Sequence, residues 1–341
     1  MNTTVTETKT AIRRTDTRGL IASGVVLVTL LAVPLLIDPD GYAIRVLTLT
    51  LLFAALGQAW NLIGGLANQV SLGHAGFFGI GAYTSTILLQ NFEVIPWVGM
   101  VAGAALAALA ALILSVPVFR LKGHYFALAT LAFGEVMRII ADSWHGLTGG
   151  PVGISVPFIE DSFAYLQFRS TVPYYYVMLL ALVMTSVIFW KVKNGSLGYR
   201  LRALKEHQDA AEVIGVNTYR AKLHALLISA AITAILGTLY AQFTFFFDPD
   251  TAFGLVPISI RMALIAIIGG LGMVWGPIIG AAFVIPFEEL TNNYLGAGQA
   301  GVSRLAYGLL LVLVILLNPR GLLALGQRFA RPRPHRDGEE Q

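Results

Sequence analysis

The chain has 341 residues, of which 56% are hydrophobic and only 12% are charged. A soluble globular protein carries about 25% charged residues, so this composition excludes an ordinary soluble domain and predicts an all-α polytopic membrane protein. The net charge of +4 does not indicate nucleic-acid binding, because the basic residues sort by membrane side, as described below. The absence of cysteine excludes a disulfide, a thiolate nucleophile and a cysteine metal site.

Ten apolar segments are predicted to cross the bilayer, since each approaches or reaches the length of about 20 residues that a spanning helix needs. Their approximate bounds are 20–37, 43–62, 71–90, 96–118, 124–140, 173–190, 223–246, 256–272, 276–291 and 303–317. Residues 1–19 are polar, and no small-x-small cleavage pattern follows the first apolar run, which predicts an uncleaved first span behind a cytoplasmic tail. The Arg/Pro-rich residues 319–341 are predicted to form a second, basic cytoplasmic tail.

The basic residues are distributed unequally when the ten spans alternate from a cytoplasmic N-terminus. Only five of the 23 lie at or near the outer side: Arg45, Arg138, Arg169, Arg261 and Arg304. The others fall in the two tails, in the short loop near residue 120 and in the segment 191–222. This asymmetry follows the positive-inside rule and predicts that both termini are cytoplasmic.

Residues 195–222 form the one long charged segment between two strongly apolar ones. Apolar or small residues recur along it at helical spacing: Leu197, Leu201, Leu204, Ala211 and Ile214. This spacing predicts an amphipathic helix with one apolar face. Gly215 is predicted to end that helix, and Asn217 is predicted to cap the next one.

Within this segment, Asp209-Ala210-Ala211-x-x-x-Gly215 resembles the EAA-x-x-x-G loop of ABC-importer permeases, with Asp in place of the first Glu. In that family the short helix sits in a groove of the cytoplasmic ATPase and transmits its closure to the membrane domain. The candidate ATPase-coupling residues are those within the resembling motif, Asp209, Ala210, Ala211, Glu212 and Gly215, together with Arg202 of the same segment. The alternative is an interfacial helix held on anionic lipid by its basic residues, among them Arg200 and Lys205.

Two glycine-rich segments with the shared sequence IGGL, at 63–66 and 268–271, lie at the inner ends of spans 2 and 8. The match indicates an internal duplication, although four residues also match by chance. Such segments can break helices where polar backbone faces protein or a water-filled path. The candidate helix-break and pathway residues are Asn61, Gly64, Gly65, Ser71, His74, Gly269 and Gly270. His74 either lines the solute path or senses pH, or it is a hydrogen-bonded packing histidine, and the packing histidine is favoured. For Asn61 and Ser71, helix capping is favoured over contact with the solute.

Charges bordering the outer part of the spans should pair with one another, because a charge in lipid is costly. Glu135 and Arg138 lie three residues apart on one helical face, and together with Arg261 they are the candidates for an outer gate. There, carboxylates would receive the ammonium group of a zwitterionic solute and guanidinium groups its carboxylate. The alternative is structural ion pairing and interfacial snorkelling.

The outer loop 141–172 is either a landing surface for an extracytoplasmic partner or a plain connector.

Four separated motifs in order extend the resemblance over roughly residues 40–320. Asn61–Tyr83, NLIGGLANQVSLGHAGFFGIGAY, is similar to the corresponding pattern of branched-chain amino-acid ABC-importer permeases of the LivM/LivH type. Leu121–Arg138, with the TGGPxGI run at 148–154, resembles the LivM side of that family. The coupling loop 191–222 and IGGLGMVWGPIIG at 268–280 complete the set. The departure is Asp209 in place of the family's Glu.

The resemblance implies a transmembrane permease domain at 20–318 in the bacterial inner membrane, surrounded by lipid. It implies four protein partners: two ABC ATPase subunits, a second homologous permease subunit and an extracytoplasmic substrate-binding protein. ATP would be bound by the partner ATPases, so no cofactor is expected here, and the absence of HExxH, GxSxG and Walker A motifs argues against an enzyme. The expected solutes are leucine, isoleucine and valine; urea, amides or other amino acids are alternatives. A secondary transporter or channel without ATPases is the other alternative, although its usual acidic or histidine relay near the bilayer midplane is lacking.

Overall fold

The computed structural model describes residues 24–39, 41–295 and Gly308. The predicted tails at 1–19 and 319–341 and the tenth predicted span at 303–317 fall outside these residues, apart from Gly308. Where the chain is described it is mainly helical, as its apolar runs predict.

The helices follow one another with short connections, except for the longer outer segment between residues 149 and 170. In chain order they are α1 (Gly24–Leu36), α2 (Tyr42–Asn61), α3 (Gly64–Ala67), α4 (His74–Phe92), α5 (Pro96–Val118), α6 (His124–Ser143), α7 (His145–Thr148), α8 (Thr171–Asn194), α9 (Ser196–Glu206), α10 (Gln208–Val213), α11 (Thr218–Thr244), α12 (Pro249–Ala252), α13 (Arg261–Gly269) and α14 (Gly276–Leu295). A 3₁₀ turn at Gly150–Val152 and a π-helix at Leu255–Ile260 complete the helical elements.

Helices lie at the first nine predicted spans, with bounds within a few residues of those predicted. Five helical stretches among the described residues are long and apolar enough to cross a membrane: Tyr42–Ala67, Pro96–Val118, Thr171–Asn194, Thr218–Thr244 and Pro249–Gly269. The total of ten spans and the orientation of the chain stay predictions. The end of the bundle that carries α9 and α10 is called the inner end below, in keeping with the predicted topology.

Helix α2 is the centre of the bundle. It is apolar on every face, so it is stable only when it is enclosed by other helices, and it packs against α8, α11, α13 and α14. A second close contact joins α4 to α11. There the helix backbones touch, because a Cβ at Gly81 would collide with the carbonyl oxygen of Ala234, and one at Gly237 with that of Phe78.

A small hairpin closes the outer end. The strands β1 (Ile154–Ser155) and β2 (Phe246–Phe247) pair antiparallel, with Ile154 opposite Phe247. The chain reaches β1 through the TGGPxGI run, in which Gly149, Gly150 and Gly153 all have positive φ. The outer loop is therefore attached to the α11–α12 connection rather than hanging free.

The single amphipathic helix predicted for residues 197–214 is wrong. Two helices form instead, and they are separated by His207, whose extended backbone has φ −157° and ψ 110°. Leu201, Leu204 and Ala211 are buried as predicted, but Ile214 is 76% exposed. The break at His207 turns α10 relative to α9, so the helical spacing counted across the whole segment no longer assigns Ile214 to the buried face.

The predicted end of this segment is confirmed. Gly215 has φ +88°, its N–H binds the carbonyl of Glu212, and the Val216 N–H binds the carbonyl of Ala211. These are the two hydrogen bonds of a Schellman motif, which needs a left-handed residue at this position. The Asn217 side chain then accepts from the Arg220 N–H at 2.9 Å and caps α11.

Candidate functional site

The two IGGL segments meet at the inner end of the bundle. Asn61, the last residue of α2, accepts a hydrogen bond from the Gly272 N–H at 2.8 Å through Oδ1. Its Nδ2 donates to the Met273 carbonyl at 3.1 Å. The buried Asn61 side chain therefore binds the turn after the second segment rather than capping a helix end, which differs from the capping role favoured from the sequence.

The two segments differ in how they interrupt their helices. At the first, a turn at Leu62 and Ile63 separates α2 from α3, and the helical stretch ends only at Asn68, which is left-handed at φ +54°. The prediction that Gly64 and Gly65 themselves break the helix is therefore wrong. At the second, α13 ends at Gly269, and Gly270 has φ +130°, as the prediction requires.

Both segments require glycine because other backbone or side-chain atoms lie too close to leave room for a Cβ. A Cβ at Gly65 would collide with the Asn61 side chain and approach the Gly272 nitrogen to 2.6 Å. One at Gly64 would overlap the ring of Trp60, and one at Gly269 would collide with the Gly276 carbonyl. These glycines let backbone lie directly against backbone or a large side chain at the point where α2 and α13 end.

His74 is fully buried and bonded through both ring nitrogens. Nδ1 lies 2.9 Å from the Ser71 Oγ, and Nε2 lies 2.9 Å from the Ser229 Oγ. The Ser229 hydroxyl donates to the Ala59 carbonyl at 2.6 Å, so it accepts from His74 Nε2–H, and Nδ1 then accepts from Ser71. This arrangement joins α2, α4 and α11 and matches the favoured interpretation of a packing histidine.

The predicted outer-gate charges are paired, but they form two separate clusters. Arg138 binds Glu135 at 2.6 Å and Asp250 at 2.8 Å, at a site where Asp250 is 80% exposed. Arg261 binds Glu288 at 2.5 Å, with only 23% and 15% of the two side chains exposed, and it lies 4.8 Å from the ring centre of Phe53. The pairing was predicted; Asp250 was not included, although it lies in the polar Asp-Pro-Asp run after α11.

A cavity of about 120 Å³ adjoins the Arg261–Glu288 pair. Its charged lining is Arg261, Glu288 and Glu289, and its apolar lining includes Leu49, Phe53 and Ile285. The second oxygen of Glu288, Oε2, is buried and has no hydrogen-bond partner among the described residues. The π-helix also contributes to the wall, and π-helical turns occur frequently at functional sites. Glu135 and Arg138 are not among the residues that line this cavity, and their role in an outer gate stays a prediction.

At the inner end, α10 is held by three side-chain contacts. Lys122, in the α5–α6 loop, donates to Asp209 at 2.8 Å. Thr218 donates to Glu212 at 2.6 Å, and the buried Lys222 donates to Gln208 at 2.9 Å. The hydrogen bond from Lys122 lowers the pKa of Asp209, and the hydrogen bonds from Thr218 and Gln208 lower the pKa of Glu212. Both carboxylates are therefore charged at neutral pH.

The exposed side of α10 carries an apolar patch that the sequence did not predict. Val213 is 87% exposed and Ile214 is 76% exposed, and Ala210 beside them is exposed as well. On α9, the Arg202 guanidinium lies 4.5 Å from the ring centre of the exposed Tyr199. The available signal was the apolar pair Val213 and Ile214 directly before a helix-ending glycine; the assumption of a continuous helix placed Ile214 on the buried face and did not consider Val213.

Residues 42–317 match the family described as branched-chain amino acid transport system / permease component. The chain is 30% identical over 306 residues, 83% of its length and 70% of the relative's, to the high-affinity branched-chain amino acid transport system permease protein LivM of Escherichia coli K12. It is 31% identical to the LivM protein of Salmonella typhimurium, with the same coverage. It is 24% identical to the LivH protein of Escherichia coli K12, over 81% of this chain and 92% of that one. No solved structure matches it.

Proposed function

The chain belongs to the branched-chain amino acid transport system permease family, and from that premise we propose that it is the membrane-spanning permease subunit of an ATP-driven importer for branched-chain amino acids. It works in the bacterial inner membrane with two ABC ATPase subunits, a second homologous permease subunit and an extracytoplasmic substrate-binding protein. The ATPases bind and hydrolyse ATP, and this chain forms part of the path for the solute.

The observation that carries the proposal is the exposed apolar patch of α10. Val213 and Ile214 face away from the bundle, whereas Asp209, Glu212 and Gln208 attach the same helix to the α5–α6 loop and to α11. An apolar patch that is exposed on a polar segment is typical of a protein contact. Because α10 is bonded to the α5–α6 loop and to α11, a force applied to the patch reaches the bundle.

The cavity beside Arg261 supports an amino-acid solute. Its apolar walls at Leu49, Phe53 and Ile285 suit an aliphatic side chain. The free oxygen of Glu288 can accept from an ammonium group, and charge-assisted hydrogen bonds of this kind are the strong ones. The cavity receives the solute after the binding protein has delivered it, so the binding protein sets most of the substrate choice.

Transport in vesicles tests the proposal. The chain is reconstituted with its candidate permease and ATPase partners and with the binding protein, and uptake of radiolabelled leucine is measured with and without ATP. Uptake that requires ATP supports the importer, and uptake driven by a proton or sodium gradient alone supports a secondary transporter. Urea, amides and other amino acids are tested as competing solutes. If one of them is taken up and leucine does not reduce its uptake, that solute replaces leucine as the proposed substrate.

A further inference from the structure

Two lysines of the 191–222 loop bind the backbone at the IGGL segments. Lys205, in the last turn of α9, donates through Nζ to the carbonyl oxygen of Gly65 at 3.1 Å. Lys193, in the last turn of α8, donates to the carbonyl oxygen of Gly272 at 2.7 Å. Each acceptor lies near or just beyond the C-terminal end of a helix, where carbonyl groups lack an intrahelical partner and carry partial negative charge.

The two acceptors are parts of one assembly. Asn61 binds the Gly272 N–H, so the residue that receives Lys193 is already attached to the end of α2. The position of a Cβ on Gly272 lies 3.3 Å from the Gly65 carbonyl oxygen, which is the atom that receives Lys205. The ammonium groups of Lys193 and Lys205 therefore bind neighbouring carbonyl groups, at the place where the end of α2 and α3 meets the turn after α13.

Helix α9 is attached to this contact from several directions. Leu201 and Leu204 are buried in the main core, and α9 packs against α3, which contains Gly65. Arg202 donates to the carbonyl of Lys193 at 3.4 Å. A displacement of α9 consequently changes the position of Lys205 relative to Gly65 and strains the attachment of Lys193.

We propose that Lys193 and Lys205 are positioning residues for transport that latch the two IGGL segments together at the inner end and release them when α9 moves. In the latched state Asn61, Gly65 and Gly272 close the bundle at this end. Movement of α9 withdraws the ammonium groups, so that the helix ends separate and the path opens. The inference rests on the proposed function, because α9 must be moved by a partner.

The test uses Lys193→Met and Lys205→Met, which keep the length of the side chain and remove the donor and its charge. The matched control is Lys191→Met, since Lys191 is exposed on the same helix and has no hydrogen bond or ion pair among the described residues. A second pair, Lys193→Arg and Lys205→Arg, restores a cationic donor. Each chain is assembled with its ATPase and permease partners, and three quantities are measured: copurification of the ATPases, ATP-driven leucine uptake, and opening of the inner end.

Opening is measured with a single cysteine. The chain contains no cysteine, so Ala67→Cys gives one thiol, at a fully buried position directly after the first IGGL segment. Labelling by a water-soluble maleimide is compared with and without ATP. In the otherwise wild-type chain, labelling is expected to be slow without ATP and to accelerate with it.

The expected result is that the two Met variants copurify with the ATPases as the control does, lose at least tenfold in coupled uptake and label rapidly without ATP. The Arg variants are expected to keep at least a third of the uptake. Uptake and labelling of the Met variants within twofold of the Lys191→Met control would overturn the latch. If the Met variants fail to assemble, the Arg variants decide: loss of uptake in them, with assembly intact, contradicts a role for the donor. Absence of ATP-driven uptake in the wild type would instead overturn the proposed function.

Discussion

Asn61 and Gly272 are 211 positions apart in the sequence, and the side chain of the first binds the backbone N–H of the second at 2.8 Å. Through this bond and its partner to Met273, the end of α2 is fixed to the turn that follows α13. The two helices end at one place because an amide has both a donor and an acceptor to offer to adjacent peptide groups. The proposed latch depends on this contact.

Replacement of Asn61 tests that contact. Asn61→Ala leaves the Gly272 N–H and the Met273 carbonyl without their partner, which costs about 1–3 kcal/mol of stability. We expect a lower melting temperature in detergent and a large loss of coupled uptake. The control is Gln58→Leu, one helical turn earlier on α2, because the buried Gln58 amide has no hydrogen-bond partner among the described residues. Removal of the Gln58 amide should be neutral or stabilising. Equal losses of melting temperature and uptake in the Asn61→Ala and Gln58→Leu variants would refute the role assigned to Asn61.

The Arg261–Glu288 pair should behave as a partly buried ion pair. Arg261→Met leaves the Glu288 carboxylate uncompensated, at a site where only 15% of that side chain is exposed, and we expect a destabilisation of about 3–5 kcal/mol. Adding Glu288→Leu removes the stranded charge, so the double variant should recover most of the melting temperature while uptake remains lost. Arg138→Met is the comparison at an exposed network, where the cost is about 1 kcal/mol or less. A double variant no more stable than Arg261→Met alone would contradict this account.

The close approach of α4 and α11 predicts a cost for Gly237→Ala that Gly134→Ala, in α6, should not show. In Gly237→Ala the new methyl group collides with the Phe78 carbonyl, and overpacking of this kind costs about 1–3 kcal/mol. In Gly134→Ala the nearest atom is the Cα of Gly73 at 3.6 Å, an ordinary contact, so the higher helix propensity of alanine should give a neutral to slightly stabilising result. Thermal unfolding of the purified variants measures both. A reversal of this order would show that the helix spacing differs from the one described.

The apolar patch on α10 predicts a specific loss of ATPase binding. Val213→Asp places a charge in the proposed contact and should abolish copurification of the ATPases without changing the melting temperature of the isolated chain. The matched control is Val152→Asp, the same substitution at a 77% exposed position in the outer segment. It should copurify normally. Comparable ATPase recovery from the two variants would rule out the patch as the docking surface.

Much of the helical framework was predictable, because long apolar runs in a membrane protein have few alternatives to helix. Gly215 and Asn217 were also predictable, since a left-handed helix end and a helix cap are each encoded by one residue. The break at His207 was not, because neither glycine nor proline marks it and the apolar spacing continues across it.

The contacts of Lys193 and Lys205 at the inner end of the bundle could not be predicted from the sequence either. Lys205 meets Gly65 at a separation of 140 positions, and Lys193 meets Gly272 at 79. Helical spacing assigns side chains to faces of one helix and carries no information about which distant backbone carbonyl a lysine reaches. The division of the outer charges into two clusters has the same cause: Asp250 and Glu288 are brought to Arg138 and Arg261 by packing between helices.

Site-specific crosslinking from Val213 tests the central claim most directly, namely that α10 receives the movement of a separate ATPase. Because the chain contains no cysteine, Val213→Cys provides a unique attachment point for a photoactivatable thiol reagent in the assembled transporter. The account predicts an adduct with the ATPase subunit whose yield changes between the ATP-bound and nucleotide-free states. Adducts with phospholipid alone in both states, or labelling of this thiol only from outside the cell, would contradict it.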